Sequence, residues 1–450
     1  MATSQKQKLI NLGASQLADA LLKLSRQSDA AVDLIERLTV APQDNIQRFK
    51  KKLSAIKSEQ NFYHWKNSRG FLSRIERLLQ DLEAGVTDPL SGLELVKSFY
   101  QADSKIFEQC DDSGGGVGEI FRYNARDLFA KYAALCEDKK KVVSIMLELN
   151  QDDGYGVRDA VFENAVDFLP EAVIRSTISE LQKLADNEKS DYTKDHYFHL
   201  IETLARQVKD AELFEQTRKA SWENPNPVAY LDIAQVYLES GDTKTATTWL
   251  DKISDKDSFH SYQKNKLLAE IYTQTGDQTK LAELLHQKFE ACPSTESLLE
   301  LLDVIGEKQR ETVIAKQVSQ ILGQSAWCES NAEFLIAIGK VDEAEKYLLK
   351  RANQLDGNYY SGLLPLAEKM ELKRHYLAAS LLYRSLLTSI LDRGYSKAYR
   401  HAVAYLEKLD QLAPSIKEWQ NFPDHQKFKD QIRQKHRLKR GFWGRYDDDI

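Results

Sequence analysis

The sequence predicts an all-α protein built as an α-solenoid of stacked helical hairpins. Apolar residues recur at helical spacing along most of the chain, and only 9 prolines and 20 glycines interrupt its 450 residues. In the second half, a glycine follows an apolar helix at Gly241, Gly276, Gly306 and Gly339, at intervals of 35, 30 and 33 residues. A short helical pair cannot bury its own apolar face, so this repeat indicates stacking between neighbouring pairs.

The clearest repeat unit contains Ala234, Tyr237, Gly241 and Ala246. This order of a small residue, an aromatic residue, a glycine and an alanine resembles the tetratricopeptide pattern. We expect Gly241 just past a helix end, where a left-handed backbone favours glycine. Ala234 and Ala246 are expected where two helices approach closely. The C-terminal half is therefore predicted to be tetratricopeptide-like.

The N-terminal half contains two similar loops ahead of predicted helices. Asp111–Gly118 precedes a helix over Glu119–Leu135, and Asp152–Gly156 precedes one over Val157–Leu169. The offset of 41 residues is close to that of a HEAT-like helical pair. We therefore expect HEAT-like hairpins here, with both acidic loops on one edge of the stack.

The remaining elements follow from apolar periodicity and from the residues that begin or end helices. Trp222–Pro227 is the strongest interruption, because proline restricts the residues before it. We place domains at residues 1–220, 221–413 and 414–450. Further helices are predicted over Leu9–Leu38 with a break at Ser25–Asp29, Ile46–Lys57, Phe71–Leu82, Pro89–Phe107, a segment after Pro170, a pair over Asp191–Leu213, Tyr376–Ile390, Tyr399–Leu412 and Lys427–Arg445.

Bulk composition limits the classes of function. The net charge of −6 gives no overall attraction to nucleic acid or to an anionic membrane. The N-terminus has no apolar core of the signal-peptide type, and no run of 18 apolar residues occurs, so we expect a cytoplasmic protein without a membrane partner. The four cysteines stand apart without any C-x-x-C spacing. They argue against a zinc site or a disulfide framework, and we expect them to be buried.

The leading functional hypothesis is an adaptor or scaffold that binds a protein partner in the groove of the C-terminal repeats. The repeat, the balanced charge and the lack of a catalytic motif favour it over an enzyme. We expect no cofactor, and the oligomeric state is left open. The candidate partner-binding residues are Tyr230, Leu231, Gln235, Tyr237, Lys244, Tyr272 and Gln274.

The two acidic loops carry Asp111, Asp112, Asp152 and Asp153. Helix capping with a flexible turn is the simplest interpretation. The alternatives are a site for a basic peptide or for a hydrated divalent cation. Nucleotide binding is less favoured, because no G-x-x-x-x-G-K-[ST] motif occurs and the aspartates repel phosphate.

The C-terminal tail is locally very basic. Its apolar line predicts a helix that closes the open end of the stack. The alternative is a nucleic-acid contact in which Trp443 stacks on a base, assisted by the basic helix Lys50–Lys57; that helix is otherwise a solvated face. The tail residues in question are Arg433, Lys435, Arg437, Lys439, Arg440 and Trp443.

His196 and His199 lie three residues apart on one helical face. Two nitrogens at this spacing could approach one metal ion. No third ligand stands in a recognisable place, and apolar neighbours favour histidines that pack in the interior. We therefore predict no metal site.

Three short motifs resemble an uncharacterised bacterial family of all-helical proteins. They are the loop Asp111–Gly118 with Phe121, the pair Tyr155-Gly156, and the closing Lys435-His436-x-x-Lys439-Arg440-x-Phe442-Trp443. Related sequence follows SWIM-type zinc fingers in some longer proteins. The resemblance implies a tetratricopeptide-like fold and no established activity. This chain lacks the zinc-finger pattern, so the nucleic-acid role that such a finger suggests is not carried over.

Overall fold

The computed structural model describes residues 2–39, 42–151, 153–222, 226–254, 257 and 259–448. Within these residues all regular structure is helical, and the only β-type pairing is an isolated bridge between Tyr63 and Cys110. The all-α prediction is confirmed. None of the described helices is long and apolar enough to cross a membrane.

The chain divides into two compact units, residues 1–264 and 265–450. The boundaries drawn at 220 and 413 from the sequence stay predictions. The helices up to residue 250 are α1 (Ala2–Ser25), α2 (Asp29–Thr39), α3 (Pro42–Ser58), α4 (Arg69–Gly85), α5 (Pro89–Tyr100), α6 (Asp103–Glu108), α7 (Gly116–Glu119), α8 (Arg126–Leu135), α9 (Lys139–Asn150), α10 (Glu171–Asn187), α11 (Asp191–Gln207), α12 (Ala211–Ser221), α13 (Pro227–Glu239) and α14 (Thr243–Leu250).

The later helices are α15 (Ser261–Thr275), α16 (Gln278–Ala291), α17 (Thr295–Ile305), α18 (Arg310–Gly323), α19 (Glu329–Ala337), α20 (Val341–Lys350), α21 (Tyr360–Leu372), α22 (Tyr376–Arg393), α23 (Tyr399–Leu412), α24 (His425–Lys435) and α25 (Arg440–Asp448). Short 3₁₀ turns occupy Trp65–Asn67, Arg158–Phe162, Ala165–Asp167, Glu307–Gln309, Ala352–Gln354, Ser396–Ala398 and Ala413–Ser415, and a π-helical turn occupies Ile120–Ala125.

The π-helical turn joins α7 to α8 and lies in the core of the first unit. In a π-helical turn the hydrogen bonds span five residues instead of the four of an α-helix, so the carbonyls of this turn have different partners from those of a regular helix. The buried hydroxyl of Tyr100 donates to the Phe121 carbonyl at 2.9 Å. Burial raises the pKa of Tyr100 well above its usual value, so the hydroxyl keeps its proton. The predicted helix over Glu119–Leu135 is present, with this turn near its start.

The helix predicted over Val157–Leu169 does not form. The structure has two 3₁₀ turns there, Arg158–Phe162 and Ala165–Asp167. Arg158 explains part of the difference, because its side chain turns into the core while its backbone N–H donates to Asp153 at 2.8 Å. The apolar spacing predicted correctly that this segment contains buried residues. It did not predict that the segment forms 3₁₀ turns instead of an α-helix.

One turn geometry recurs between paired helices. A residue with positive φ follows the first helix, and the next residue donates its N–H to a carbonyl five positions earlier, which satisfies a helix-terminal carbonyl. The positive-φ residues are Lys209 (55°), Gly241 (91°), Gly276 (70°), Gly339 (78°) and Arg374 (65°). The hydrogen bonds join Asp210 to Ala205, Asp242 to Tyr237, Asp277 to Tyr272, Lys340 to Leu335 and His375 to Met370, at 2.8–2.9 Å. The prediction for Gly241 is confirmed.

The core of the second unit forms around α22. Its buried residues cover every side of the helix, from Leu377 to Leu391. Ile432, Phe442 and Tyr446 of the tail are buried in the same apolar cluster. The apolar line of the tail therefore packs into this unit, which agrees with a closing role.

Candidate binding site

Gly357 permits a close approach of its backbone to α22 in the second unit. A Cβ atom at Gly357 would lie 2.1 Å from the Ser385 carbonyl oxygen. Only glycine fits at that distance. At the other end of α22, Gly394 has φ 67° and ends the helix. The chain then passes through the 3₁₀ turn Ser396–Ala398 into α23.

A pocket of about 520 Å³ opens between these helices. We call it the tyrosine pocket. Tyr360 is 65% exposed and Tyr395 is also exposed, whereas Tyr405 is buried and burial raises its pKa. No aspartate or glutamate is among the residues that line it, which are Gly357, Asn358, Tyr360, Leu364, Leu386, Ile390, Arg393, Tyr395, Lys397, Ala398, Arg400, His401 and Tyr405.

A second pocket, of about 600 Å³, lies where the tail meets the start of α23. We call it the basic pocket. Lys397, Lys439, Arg440 and Arg445 line it, together with small and apolar residues. This part of the predicted basic tail therefore contributes to a concave, positively charged surface.

Other tail residues are engaged within the unit. Arg433 pairs with Asp447 at 2.7 Å, and Lys435 pairs with Asp392 at 2.7 Å. Arg437 is exposed. The ion pairs of Arg433 and Lys435 neutralise two of the positive charges that were predicted to contact nucleic acid.

Trp443 is buried, with 7% of its surface exposed. Its indole N–H donates to the His436 carbonyl at 3.0 Å, and the Arg433 guanidinium lies 4.3 Å from its ring. Packing of the tail therefore uses this side chain, which argues against the suggestion that Trp443 stacks on a base. A nucleic-acid contact through the tail stays a prediction.

The basic helix α3 is also partly neutralised. Arg48 and Lys52 both contact Asp81, at 2.9 and 3.3 Å. Lys50, Lys51 and Lys57 remain exposed. This distribution agrees with a largely solvated face.

The predicted partner-binding residues lie in two different units. In the first, Tyr237 donates to Glu215 at 2.7 Å, and Tyr230 contacts the ring of Trp249. Leu231 is 6% exposed, so it is a core residue and not part of an accessible groove. Gln235 is half-buried and Lys244 is exposed.

In the second unit, Tyr272 is half-buried, and Lys280 lies 5.7 Å from its ring centroid. Gln274 is exposed two residues later. Neither residue lines the tyrosine pocket or the basic pocket. A role for either in binding stays a prediction.

The aspartates of the acidic loops hold their own turns. Asp112 accepts from the N–H groups of Val117 and Gly118 at 2.7 and 3.0 Å, and Asp111 accepts from Ser113. Asp153 accepts from Gly156 and Arg158 at 2.9 and 2.8 Å. Asp152 lies outside the described residues. These bonds agree with the capping interpretation.

Metal-ligating side chains are dispersed. Among the described residues, no group of three or more His, Cys, Asp or Glu side chains could hold an ion. His196 contacts Asn150 at 2.6 Å and Asp159 at 3.3 Å. Cys110 and Cys136 are buried as expected. Cys292 and Cys328 are exposed, so the expectation of burial is wrong for those two.

Several buried charged residues are absent from the sequence-based predictions. Asp103 and Arg158 form an ion pair although they are 55 residues apart. No sequence motif links positions at that separation, so the pair could not be predicted. Arg384 lies in the middle of α22 and is 6% exposed. The signal for Arg384 was available, because it is a single charged residue in the middle of a run of apolar residues on α22, most of which are buried.

Comparison with known proteins adds one result to this geometry. No curated protein matches the chain. The sequence pattern of one family matches residues 2–445, almost the full length. The chain therefore belongs to the family described as Family of unknown function (DUF6880).

Proposed function

We propose that this protein is a non-enzymatic helical-repeat scaffold that binds an acidic segment of a partner protein in the tyrosine pocket. The repeat is supported by the recurring turn geometry, whose positive-φ residues lie at 209, 241, 276, 339 and 374. Gly306, with φ 93°, falls between the third and fourth of these. The resulting intervals are close to the length of a helical pair, ~34 residues.

The lining of the tyrosine pocket carries the binding proposal. Arg393, Lys397 and Arg400 supply positive charge, and no lining residue opposes it. A concave surface of one sign attracts a ligand segment of the opposite sign. The tyrosines add rigid apolar area with a polar end, which suits a protein interface.

The pocket also selects for apolar groups beside the acidic ones. Leu364, Leu386 and Ile390 line it together with the aromatic rings. Lys397 and Arg400 are exposed. An acidic segment that fits would contain apolar side chains flanked by aspartate or glutamate.

Selection from a displayed library of random peptides tests this proposal. We expect the selected peptides to combine acidic with apolar residues. Arg400→Glu should weaken binding of a selected peptide by at least about tenfold, because reversal replaces attraction with repulsion. Fluorescence anisotropy with the labelled peptide measures the change.

Lys346→Glu provides the matched control. Lys346 is exposed on α20, and the substitution changes the net charge by the same amount. Equal losses for Arg400→Glu and Lys346→Glu would contradict binding at the pocket. Selected peptides without enrichment of acidic residues would contradict it as well.

A second candidate function, nucleic-acid binding, is favoured by the basic pocket. Lys397, Lys439, Arg440 and Arg445 meet there, and no acidic residue lines it. No aromatic ring in its lining is exposed, since Tyr399 is buried. This lack of a stacking surface is why the protein partner is preferred.

Single-stranded oligonucleotide binding at several salt concentrations tests the second candidate. The logarithm of the binding constant should fall by ~0.7 per neutralised phosphate for each unit of log salt. Lys439→Glu with Arg440→Glu should abolish binding. An unchanged affinity in this double variant would exclude the basic pocket, whatever the result for the tyrosine pocket.

A further inference from the structure

Arg384 is a buried arginine whose side chain is held in place from three directions. Its Nη1 donates to the Pro423 carbonyl at 2.8 Å. The guanidinium carbon lies 4.6 Å from the ring centroid of Trp419 and 4.4 Å from that of Phe428. Contacts between a cation and two aromatic rings stabilise the positive charge and fix the plane of the group.

Two nitrogens of the same guanidinium have no acceptor. Nε and Nη2 are buried and make no hydrogen bond to any described residue. Burial lowers the pKa of Arg384 to about 10, so the side chain remains charged at neutral pH. A buried charge with unsatisfied N–H groups is costly, and natural proteins usually pair it.

Nε and Nη2 form one edge of the guanidinium, which presents two parallel N–H groups. This edge matches the two oxygens of a carboxylate or phosphate. The protein itself uses the edge in this way at Arg158, whose Nε and Nη2 each lie 2.8 Å from an oxygen of Asp103. The same edge has a carboxylate at Arg158 and none at Arg384.

Arg384 lies in the wall of a pocket of about 580 Å³ that adjoins the tyrosine pocket and shares Gly357, Asn358 and Arg393 with it. Ser385, Thr388, Ser389 and Asn358 supply hydroxyl and amide groups to its lining. Pockets of this size commonly hold a small ligand.

Asp356 and Asp392 line the pocket, Asp424 lies near Arg384, and all three carboxylates have other partners. Asp356 accepts from the N–H of Asn358 at 2.9 Å, and Asp392 pairs with Lys435 at 2.7 Å. The charge of Asp424 acts on Arg384 and partly opposes the lowering of its pKa by burial. The Asp424 carboxylate itself caps α24, because it accepts from the Lys427 N–H at 2.8 Å. None of the three forms an ion pair with Arg384 among the described residues.

We propose that Arg384 is the anion-binding residue of a second ligand site beside the tyrosine pocket, at which a carboxylate or phosphate group of a small molecule accepts from Nε and Nη2. Trp419, Phe428 and Pro423 hold the guanidinium ready, and the hydroxyl and amide groups contact the rest of the ligand. The proposal rests on Arg384, which does not line the tyrosine pocket, so it can fail or hold whatever the result for an acidic segment there.

Nitrogen NMR of the full chain, with labelled arginine, tests the site directly. The Nε–H signal of Arg384 is followed during titration with sodium phosphate and, separately, with sodium acetate, each against sodium chloride of equal ionic strength. We expect a saturable shift with at least one anion. A shift with phosphate alone identifies a phosphate ligand, and a shift with acetate alone identifies a carboxylate.

Arg437 is the internal control, because it is exposed and lines none of the three pockets. Equal shifts at Arg384 and Arg437 would mean an adventitious ion only and would overturn the proposal. No shift at Arg384 beyond the chloride control would overturn it too.

Substitution supplies a second measurement. Arg384→Lys keeps the charge between the rings but removes the two-pronged edge. Arg437→Lys is its matched control, because Arg437 is exposed and lines none of the three pockets. The anion that shifts the NMR signal should raise the melting temperature of the wild type and of Arg437→Lys, but not that of Arg384→Lys. An equal rise in all three proteins would show that the charge near the rings suffices, and it would refute the assigned role of the edge.

Discussion

Asp103→Asn should destabilise the first unit strongly, because it removes the buried carboxylate that accepts two hydrogen bonds from the Arg158 guanidinium. Asp103 is 0% exposed, and its two oxygens each accept from Arg158 at 2.8 Å. Hydrogen bonds to charged groups contribute about 1.5–3 kcal/mol each, so the two together contribute ~3–6 kcal/mol. Removal of one partner of a buried pair commonly costs about 3–5 kcal/mol.

Other contacts of Arg158 place the expected loss at the lower end of that range. Its Nη1 also donates to the carbonyls of Leu149 and Gln151, at 3.4 and 3.2 Å, and these bonds survive the substitution. We therefore expect the free energy of unfolding to fall by about 3 kcal/mol. Urea unfolding followed by circular dichroism measures it.

Two further variants separate burial from charge. Asp127→Asn removes an exposed partner of Arg126, 2.9 Å away, and should change stability by less than about 1 kcal/mol. Asp103→Leu combined with Arg158→Met should recover most of the loss, since an apolar pair of similar volume often replaces a buried ion pair. A loss below about 1 kcal/mol for Asp103→Asn, or one equal to that of Asp127→Asn, would refute this account of the pair.

Two more predictions concern backbone strain and acid sensitivity. Gly241→Ala should cost ~1–2 kcal/mol in urea unfolding, because φ is 91° and no neighbouring atom offers compensating contact. Gly323→Ala, in equally open space at ordinary φ, should cost nothing, and equal losses would contradict the strain argument. Burial lowers the pKa of His436, so the unfolded chain binds a proton more tightly than the folded chain. Stability should fall as the pH drops below about 6.5, the usual pKa of histidine, and His436→Gln should flatten that fall in melting temperature; an unchanged slope would show that His436 is not its source.

The sequence predicted the turns well where glycine occupies them. Gly241, Gly276 and Gly339 have positive φ and follow helices. Lys209 and Arg374 adopt the same conformation, but neither residue type favours it. These two turns could not be predicted from the local sequence, because the packing of the paired helices imposes the positive φ.

Predictions about individual site residues were less successful, and the reason is physical. Apolar periodicity reports that a position is buried but not what surrounds it. Leu231 and Trp443 were proposed as contact residues, yet both are buried. The tyrosine pocket combines Tyr360 with Tyr395 and Arg400 from three successive segments. Tertiary packing brings these residues together, and they show no regular spacing in the sequence from which the pocket could be predicted.

Comparison of the buried arginines strengthens the assignment of Arg384. Arg158 is neutralised by Asp103, whereas Arg351 donates to the carbonyls of Ile321, Leu322 and Gln324 at the end of a helix, where the negative end of the helix dipole favours a cation. Arg384 contacts one carbonyl and two rings, and its Nε and Nη2 have no acceptor among the described residues. The first two show that this fold can satisfy a buried guanidinium fully with its own atoms. A third that is rigidly held, still charged and set in a pocket wall is therefore better explained by an acceptor supplied from outside the chain than by imperfect packing.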